Sequence, residues 1–259
     1  MNWFEAMVLG LIQGLTEFLP VSSSGHLEIA KSLFGVDPES SFYFTVAVHG
    51  ATVLSTIFVF RKEILNLITG TLKFKMNEET SYTLKIILSM IPVGIAGVLL
   101  KDPIEKLFNG NLVFIGLMLL VTSVLLALAH FIKRKERSIG YKDALIIGIA
   151  QAIAVIPGIS RSGATISTGL MIGNKKDEIA RFSFLMVLVP VLGANLIEIL
   201  SGDVNTNSAG FGIVIIGFVT AFVSGYFACK WMITLVKRSK LIWFSIYCAV
   251  IGLLSIILS

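Results

Sequence analysis

Apolar residues fill six long, uninterrupted segments of the chain, and polar stretches separate them. An α-helix needs about 20 predominantly apolar residues to cross the hydrocarbon core of a membrane, where it satisfies its backbone hydrogen bonds internally. Each segment therefore predicts one transmembrane helix. The six segments are residues 42–60, 83–100, 112–132, 179–200, 211–230 and 241–258.

Two further apolar segments, residues 5–35 and 143–173, are interrupted near their centres. The interruptions contain Pro20 and residues 22–25 (Ser-Ser-Ser-Gly) in the first segment, and Pro157, Gly158 and Gly163 in the second. Half of either segment is too short to cross the membrane, and broken helices are tolerated at that depth where the break is buried in protein or lines a cavity. Each segment therefore predicts a re-entrant helix hairpin that returns to the side from which it entered.

The two broken segments are copies of each other at a constant offset of 138 residues. Seven positions are identical: Ala6, Gly10, Gln13, Ser22, Ser24, Gly25 and Gly35 recur as Ala144, Gly148, Gln151, Ser160, Ser162, Gly163 and Gly173. We therefore predict one all-α membrane domain over residues 1–259, with a first repeat at 1–132 and a second at 143–259. Each repeat has one hairpin and three spans, and because three is odd the second repeat enters from the opposite face. This inverted topology would bring both interruptions together near the midplane.

Composition and charge agree with a membrane protein and orient it. The chain is 55% hydrophobic and 14% charged, whereas soluble domains carry about 25% charged residues. Sixteen of the 21 Lys and Arg residues fall in the loops of one predicted side and three in those of the other. The positive-inside rule then places both termini and the first hairpin's opening outside. The basic residues flank apolar spans and form no stripe with aromatic residues, so we expect no nucleic-acid partner.

The second interruption carries the features of an oxyanion site. Arg161 is the only Lys or Arg between Lys142 and Lys175, and a cation at such depth usually faces a cavity, a counter-charge or a substrate. A helix that begins there would direct its backbone N–H groups and its positive dipole end at the same point. Hydroxyl and glycine residues surround this arginine: Ser160, Ser162, Gly163 and Thr165.

The first interruption adds groups that could react. Gln13 and Glu17 share a helix face, being four residues apart, and Ser23 and His26 follow within the turn. Ser23 could attack phosphorus while His26 or Glu17 moves the proton. Oxygen atoms of Gln13 and Glu17 could hold Mg²⁺ or Ca²⁺.

The residues alone leave two classes of function open, a phosphate-handling enzyme and an anion transporter or lipid flippase, because broken inverted repeats also build transporters. Arg161 could also be a structural partner of Glu17. His49 has no acidic neighbour in the sequence, so we interpret it as a hydrogen-bonded structural histidine.

Both interruptions resemble signatures of the undecaprenyl-diphosphate phosphatase family, also known for bacitracin resistance. The first signature is Gln13-Gly-Leu-Thr-Glu17, continued as Phe-Leu-Pro-Val-Ser-Ser-Ser-Gly-His26, and the second is Pro-Gly-Ile-Ser-Arg-Ser-Gly-Ala-Thr from Pro157 to Thr165. Gln13 stands where some members have glutamate.

The resemblance implies hydrolysis of the C55 isoprenyl diphosphate to its monophosphate, which recycles the lipid carrier of cell-wall precursors. It also implies a divalent cation, held here by Gln13 and Glu17, and a bacterial plasma (inner) membrane location with the active site open to the periplasmic face. Expected partners are the polyprenyl diphosphate and membrane lipids, and the sequence leaves a homodimer open. The expected catalytic residues are Glu17, Ser23, His26 and Arg161, and the expected diphosphate-binding residues are Ser22, Ser24, Gly25, Ser160, Ser162, Gly163 and Thr165.

Overall fold

A computed structural model describes residues 1–36, 42–100, 103, 107, 110–132, 135–200, 210–238 and 240–258. Within these residues the regular structure is helical, apart from one isolated bridge between Arg137 and Asn174. The described helices are α1 (Trp3–Phe18), α2 (Ser23–Phe34), α3 (Phe42–Thr71), α4 (Glu78–Leu99), α5 (Leu112–Phe131), α6 (Tyr141–Ile153), α7 (Arg161–Met171), α8 (Lys176–Leu200), α9 (Phe211–Lys237) and α10 (Leu241–Ile257). Four of the basic residues that entered the charge comparison lie outside the described residues: Lys101, Lys106, Lys133 and Arg134.

Five of these helices (α3, α4, α5, α8 and α9) are long and apolar enough to cross a membrane, and α10 is a shorter apolar helix of 17 residues. The protein is therefore an all-α, multi-pass membrane protein, as the hydrophobic segments predict. The predicted end of the third helix was wrong, because α3 continues from residue 60 to Thr71. Arg61, Lys62 and Glu63 are compatible with a helix, so the apolar segment marks the width of the hydrocarbon layer and not the length of the helix.

Both interrupted segments form helix pairs, α1–α2 and α6–α7, with breaks at residues 19–22 and 154–160. Glycines bring each pair close to a spanning helix. A Cβ atom on Gly10 of α1 would lie 2.4 Å from the carbonyl oxygen of Gly217 in α9. The equivalent Gly148 of α6 meets the carbonyl oxygen of Ser89 in α4 at 2.3 Å. Such close backbone approach is typical of helices packed in lipid. It sets the position of each hairpin along the axis of the spanning helix on which it packs.

The base of the second hairpin is closed by one buried acid. Asp143, in the first turn of α6, accepts two hydrogen bonds from the Arg137 guanidinium at 2.5 and 2.6 Å. It also accepts from Gly140 N–H at 2.9 Å and from Asn174 Nδ2, beyond α7, at 3.2 Å. Asp143 therefore links the segment before α6 to the segment after α7.

Candidate active site

The turns of the two hairpins lie against each other. A Cβ atom on Gly25, at the start of α2, would lie 3.4 Å from Gly158 Cα in the second turn. One on Gly163, at the start of α7, would lie 3.4 Å from Pro20 Cβ in the first turn. Gly158 has a φ of 92° and is packed against Ile115 and Met118 of α5, which leaves no room for a side chain. The N-termini of α2 and α7 are thereby brought to one place.

The repeated serines cap these two helices in the same way. Ser22 Oγ accepts a hydrogen bond from Gly25 N–H at 3.2 Å, and Ser160 Oγ accepts one from Gly163 N–H at 3.0 Å. A second hydroxyl lies 3.3 Å from each cap, Ser24 Oγ in the first turn and Ser162 Oγ in the second. These four residues therefore have a structural role at the helix N-termini, in addition to the predicted substrate contacts.

Glu17 is the centre of the site, because it joins the two hairpins. Its Oε1 accepts a hydrogen bond from Arg161 Nη2 at 2.8 Å. Its Oε2 accepts from Ser23 Oγ at 2.6 Å and from Gln13 Nε2 at 3.0 Å. Three of the predicted catalytic residues are thus in direct contact, although 144 positions separate Glu17 from Arg161.

The Glu17–Arg161 pair is sheltered but still accessible. The side chain of Glu17 is 12% exposed and that of Arg161 is 28% exposed. A cavity of about 30 Å³ lies next to both side chains, lined by hydroxyls of Thr52 and Thr56 and by apolar residues of α8. A buried ion pair stabilises the protein only when its remaining hydrogen-bonding groups also find partners. The Arg161 guanidinium has further N–H donors, and a bound anion could accept hydrogen bonds from them.

Thr165 connects the first turn of α7, which bears Arg161, to α8. Its hydroxyl donates to the Arg161 carbonyl oxygen at 2.8 Å and lies 2.5 Å from Ser183 Oγ of α8. It is fully buried. The structure therefore assigns Thr165 a contact with the backbone of Arg161 and with α8, whereas the sequence predicts a substrate contact.

His26 is held by different partners from those of Glu17. Its Nδ1–H donates to the Ser22 carbonyl oxygen at 2.8 Å, because a carbonyl can only accept. Its Nε2 lies 2.8 Å from Tyr247 Oη of α10, and the two rings are stacked 5.5 Å apart. Among the described residues, no hydrogen bond or ion pair joins His26 to Glu17 or Arg161.

His49 of α3 belongs to the surroundings of the site, which the sequence interpretation missed. Its Nδ1–H donates to the Thr45 carbonyl oxygen at 2.8 Å, as expected for a structural histidine. It also interacts electrostatically with Glu17, Arg161 and Lys31. One signal was available in the sequence, since Thr52 and Thr56 follow His49 at helical spacing. In the structure both threonines line the cavity beside Glu17 and Arg161.

Two oxygen donors at this place fit a divalent cation. Gln13 is fully buried, its amide nitrogen donates to Glu17, and the Oε1 of the same amide has no hydrogen-bond partner. The part of the chain that the structure describes contains no group of three or more His, Cys, Asp or Glu residues that could hold a metal. Mg²⁺ is commonly bound by one or two protein oxygens together with substrate phosphates and water. The donor set fits that mode and not a site built from protein ligands alone.

Comparison with known proteins agrees with the geometry. The chain matches the family model for the bacitracin resistance protein BacA over residues 6–254. It is 54% identical to an undecaprenyl-diphosphatase of Christiangramia forsetii, over 99% of this chain and 98% of that protein. An undecaprenyl-diphosphatase of Bacteroides fragilis is 52% identical over 100% of this chain and 99% of that protein. One of Methanosphaera stadtmanae is 38% identical over 98% of this chain and 97% of that protein. These matches confirm the family predicted from the two signatures, and the chain belongs to the bacitracin resistance protein BacA family.

Proposed function

We propose that this protein hydrolyses undecaprenyl diphosphate to the monophosphate and inorganic phosphate. The observation that carries the proposal is the contact of Glu17 with both Ser23 and Arg161 at the meeting point of two helix N-termini. A nucleophile, a proton acceptor and a cation are thereby combined where backbone N–H groups favour an anion. The relatives are named for a phosphatase activity, which favours this function over the transporter alternative.

Arg161 binds the terminal phosphate in this mechanism. A guanidinium has five N–H donors and matches the geometry of phosphate oxygens, and the described contacts use one donor for Glu17. The phosphate therefore takes the remaining donors, together with the N–H groups at the start of α2 and α7. Stabilising the charge that develops on the phosphate oxygens is the main contribution expected of such a site.

Ser23 is the proposed nucleophile and Glu17 its general base. The 2.6 Å hydrogen bond from Ser23 Oγ to Glu17 Oε2 supports Glu17 as the group that accepts the hydroxyl proton when Oγ attacks. The Oγ–P bond forms, the bond from phosphorus to the bridging oxygen breaks, and the lipid monophosphate leaves with that oxygen. Water then attacks the phosphorus of the phosphoserine and the Oγ–P bond breaks. Ser23 Oγ takes back the proton that Glu17 holds, and the oxygen and hydrogens of the water leave with inorganic phosphate.

A divalent cation is part of the proposal, with Gln13 Oε1 and Glu17 as its protein ligands. When bound, such a cation supplies positive charge that offsets the repulsion between a carboxylate and a phosphate. Gln13 also holds Glu17 in place through its amide, so one residue has both roles. His26 orients the first turn through Ser22 and provides an imidazole beside the α2 N-terminus.

The proposed inverted repeat, with halves 1–132 and 143–259, is supported by the way the helices pack. In the first half α1 packs on α9 and in the second half the equivalent α6 packs on α4. The pairs α3–α9 and α8–α4 are related in the same way. A site between oppositely entering hairpins suits a substrate whose phosphates are polar and whose tail stays in lipid.

The cellular setting follows from the same proposal. The site opens to the periplasmic face of the bacterial plasma (inner) membrane with both termini outside, as the loop charges predict. Hydrolysis there returns the lipid carrier to cell-wall synthesis and confers bacitracin resistance. Lipid contacts along the exposed apolar spans and a homodimer stay predictions.

Phosphate release from undecaprenyl diphosphate by the purified protein in detergent is the test. Ser23→Ala should lower turnover at least about a thousandfold, as expected for loss of a nucleophile that acts with its base. Ser32→Ala, an exposed serine on the same helix, is the matched control and should retain full activity. If Ser23→Ala turns over nearly normally, serine attack is wrong and an activated water replaces it.

A sealed-vesicle assay separates the phosphatase from the transporter alternative. Lipid vesicles that contain the protein should release inorganic phosphate from added undecaprenyl diphosphate, and Arg161→Ala vesicles should not. Transbilayer movement of the intact diphosphate without phosphate release would instead indicate a transporter.

A further inference from the structure

Ser22, the residue before the proposed nucleophile, has a strained backbone. Its φ is 70°, in the left-handed region that residues with a side chain rarely adopt. Among the residues that the structure describes, Phe74 is the only other non-glycine residue with a positive φ. Such a conformation persists only where the surrounding structure holds it, and it is frequent at active sites. The contacts that hold Ser22 therefore bear on the position of Ser23.

The side chain of His26 holds the carbonyl group of Ser22. This carbonyl oxygen accepts a hydrogen bond from His26 Nδ1–H at 2.8 Å and a longer one from the His26 backbone N–H at 3.2 Å. The same carbonyl belongs to the planar peptide group that contains the Ser23 nitrogen. Because that plane is held, the direction of the Ser23 side chain is restricted, and Ser23 Oγ lies 2.6 Å from Glu17 Oε2.

Tyr247 of α10 in turn holds the imidazole of His26. The tyrosine hydroxyl lies 2.8 Å from His26 Nε2, and the two rings are within 9° of parallel. Since Nδ1 carries the proton that is donated to Ser22, Nε2 of the neutral ring can only accept, and the Tyr247 hydroxyl donates to it. Both ring nitrogens of His26 are therefore hydrogen-bonded to groups other than Glu17, Ser23 and Arg161.

The helix that bears Tyr247 is itself joined closely to α5. Ser245 Oγ donates to the Ser123 carbonyl oxygen at 2.8 Å, and Ser123 Oγ donates to the Ser245 carbonyl oxygen at 2.7 Å. A Cβ atom on Gly116 of α5 would lie 2.6 Å from the carbonyl oxygen of Gly252, so the two backbones are in contact as well. Reciprocal hydrogen bonds and close backbone approach are the contacts that fix one membrane helix against another.

α10 also contacts the first turn at a second point, on the other side of Ser22 and Ser23. The buried thiol of Cys248 lies 3.7 Å from the carbonyl oxygen of Pro20. Tyr247 and Cys248 are adjacent in the sequence, so one turn of α10 contacts the chain both before and after the nucleophile. The position of the first turn is therefore set in part by α10.

From these contacts we infer that Tyr247 is a positioning residue for the proposed reaction. Through His26 it holds the peptide group between Ser22 and Ser23, so that Ser23 Oγ stays directed at Glu17. The inference rests on the proposed function, and it assigns His26 a positioning role in place of the proton transfer that the sequence also allowed. In this role His26 has to donate from Nδ1 and accept at Nε2, and neither His26 nor Tyr247 exchanges a proton with the substrate.

The first test compares two substitutions of His26 that both remove the titratable ring. Asparagine places an amide N–H donor at the position of Nδ1, whereas glutamine places one at the position of Nε2. In full-length protein in detergent, with undecaprenyl diphosphate as substrate, His26→Asn should keep kcat within about tenfold of the wild type. His26→Gln should lower kcat about a hundredfold, the scale expected when a reacting group is misplaced by about 1 Å. Equal kcat in the two variants, whether high or low, would overturn the inference.

The second test asks whether Tyr247 acts through His26. Tyr247→Phe should lower kcat about fivefold without changing KM, the scale of one neutral hydrogen bond. In the His26→Asn background the same change should have no effect, because asparagine has no atom at the position of Nε2. A fivefold loss that persists in the double variant would mean that Tyr247 acts on the reaction in another way, and it would overturn the inference.

Tyr141→Phe is the matched control, because it removes a tyrosine hydroxyl that contacts Ser81 Oγ of α4 at 3.2 Å. Its kcat should equal that of the wild type. Tyr247→Phe keeps the stacked ring, so it decides the matter even where the His26 variants do not fold. Unchanged kcat in Tyr247→Phe, or a raised KM with unchanged kcat, would overturn the positioning role. Wild-type protein that releases no phosphate would instead contradict the proposed function itself.

Discussion

The first and second turns share a scaffold and divide the chemistry between them. Offset by 138 residues, the capping serines and the following glycines are identical, and each cap makes the same hydrogen bond. Among the positions that differ are those with reactive groups: Glu17, Ser23 and His26 correspond to Val155, Arg161 and Ala164. Ser23 and Arg161, the proposed nucleophile and phosphate ligand, therefore occupy equivalent positions. In the proposed mechanism, one helix N-terminus therefore carries the nucleophile and the equivalent one carries the phosphate ligand.

The bases of the two hairpins differ as well. Asp143 links both ends of the second hairpin through Arg137 and Asn174. Its counterpart in the first hairpin is Glu5, which caps α1 by accepting from Asn2 N–H and Nδ2. Among the residues described after α2, Gly35 and Val36, none has a recorded hydrogen bond to Glu5. A side-chain link across the base is therefore described for the hairpin that bears Arg161.

The largest effect is expected at the ion pair between Glu17 of the first hairpin and Arg161 of the second. Arg161→Ala should lower kcat by about a thousandfold, the upper size seen for loss of one stabilising donor. It also leaves Glu17 without its counter-charge, which is costly for a buried carboxylate. Steady-state phosphate release gives the first effect, and thermal unfolding in detergent gives the second.

A charge reversal distinguishes catalysis from a structural ion pair. Glu17→Arg/Arg161→Glu restores opposite charges between the turns but moves the carboxylate away from Ser23. We expect thermal stability closer to the wild type than in Arg161→Ala, with activity still lost. Recovery of activity in the reversed pair would mean that Arg161 acts only as a partner of Glu17.

Much of the fold could be predicted because the membrane restricts the choices. Apolar length, interruptions by proline and glycine, and the internal repeat predict the spans and both hairpins. The polar continuation of α3 to Thr71 could not be predicted, since hydrophobicity reports the lipid layer and charged residues propagate a helix equally well.

The site was predictable where the chemistry is local in the sequence. Glu17, Ser23 and Arg161 stand out as polar residues in apolar surroundings. The contact of His26 with Tyr247 joins residues 221 positions apart, and the place of His49 depends on how α3 packs against α1. The hydrophobic pattern of a helix does not specify such neighbours.

The equivalent glutamines Gln13 and Gln151 provide a test variant and a matched control for metal binding. Gln13→Glu adds a carboxylate beside Glu17, so the Mg²⁺ or Ca²⁺ concentration for half-maximal activity should shift by roughly tenfold. Gln151→Glu makes the same change in the other hairpin, where Val155 replaces Glu17, and Gln151 also has a buried Oε1 without a partner. This control should cost stability without altering metal dependence. Equal metal titrations of wild type and Gln13→Glu would argue against coordination by Gln13.

A smaller effect is expected at the support of the first turn. Tyr247→Phe removes the hydroxyl that contacts His26 Nε2 and keeps the stacked ring. Because His26 retains its bond to Ser22, we expect turnover to fall by less than about tenfold, the scale of one neutral hydrogen bond. His26→Gln should cost more, and phosphate release by both variants at saturating substrate is the measurement. A greater loss in Tyr247→Phe would mean that the tyrosine itself contacts the substrate.

The base of the second hairpin should affect stability and its pH dependence, with little effect on turnover at neutral pH. Burial alone would raise the pKa of the Asp143 carboxyl, but hydrogen bonds from Arg137, Gly140 and Asn174 outweigh it and lower that pKa. At a pH above the ordinary carboxyl pKa of 3.8, the ionised Asp143 therefore stabilises the fold. This stabilisation is lost as the pH falls through the lowered pKa of the folded protein.

Asp143→Asn should lower Tm at neutral pH by about 3–6 °C, the shift expected when one or two hydrogen bonds are lost in a chain of this length. The difference in Tm between Asp143→Asn and the wild type should become smaller as the pH falls below the ordinary carboxyl pKa, because Asp143 of the wild type is then neutral too. Glu5→Gln, the equivalent change in the first hairpin, should shift Tm less, since that acid caps one helix and links no second segment. Thermal unfolding of the three proteins across pH measures both effects. A larger shift for Glu5→Gln would contradict the inference that Asp143 fastens the base of the hairpin that bears Arg161.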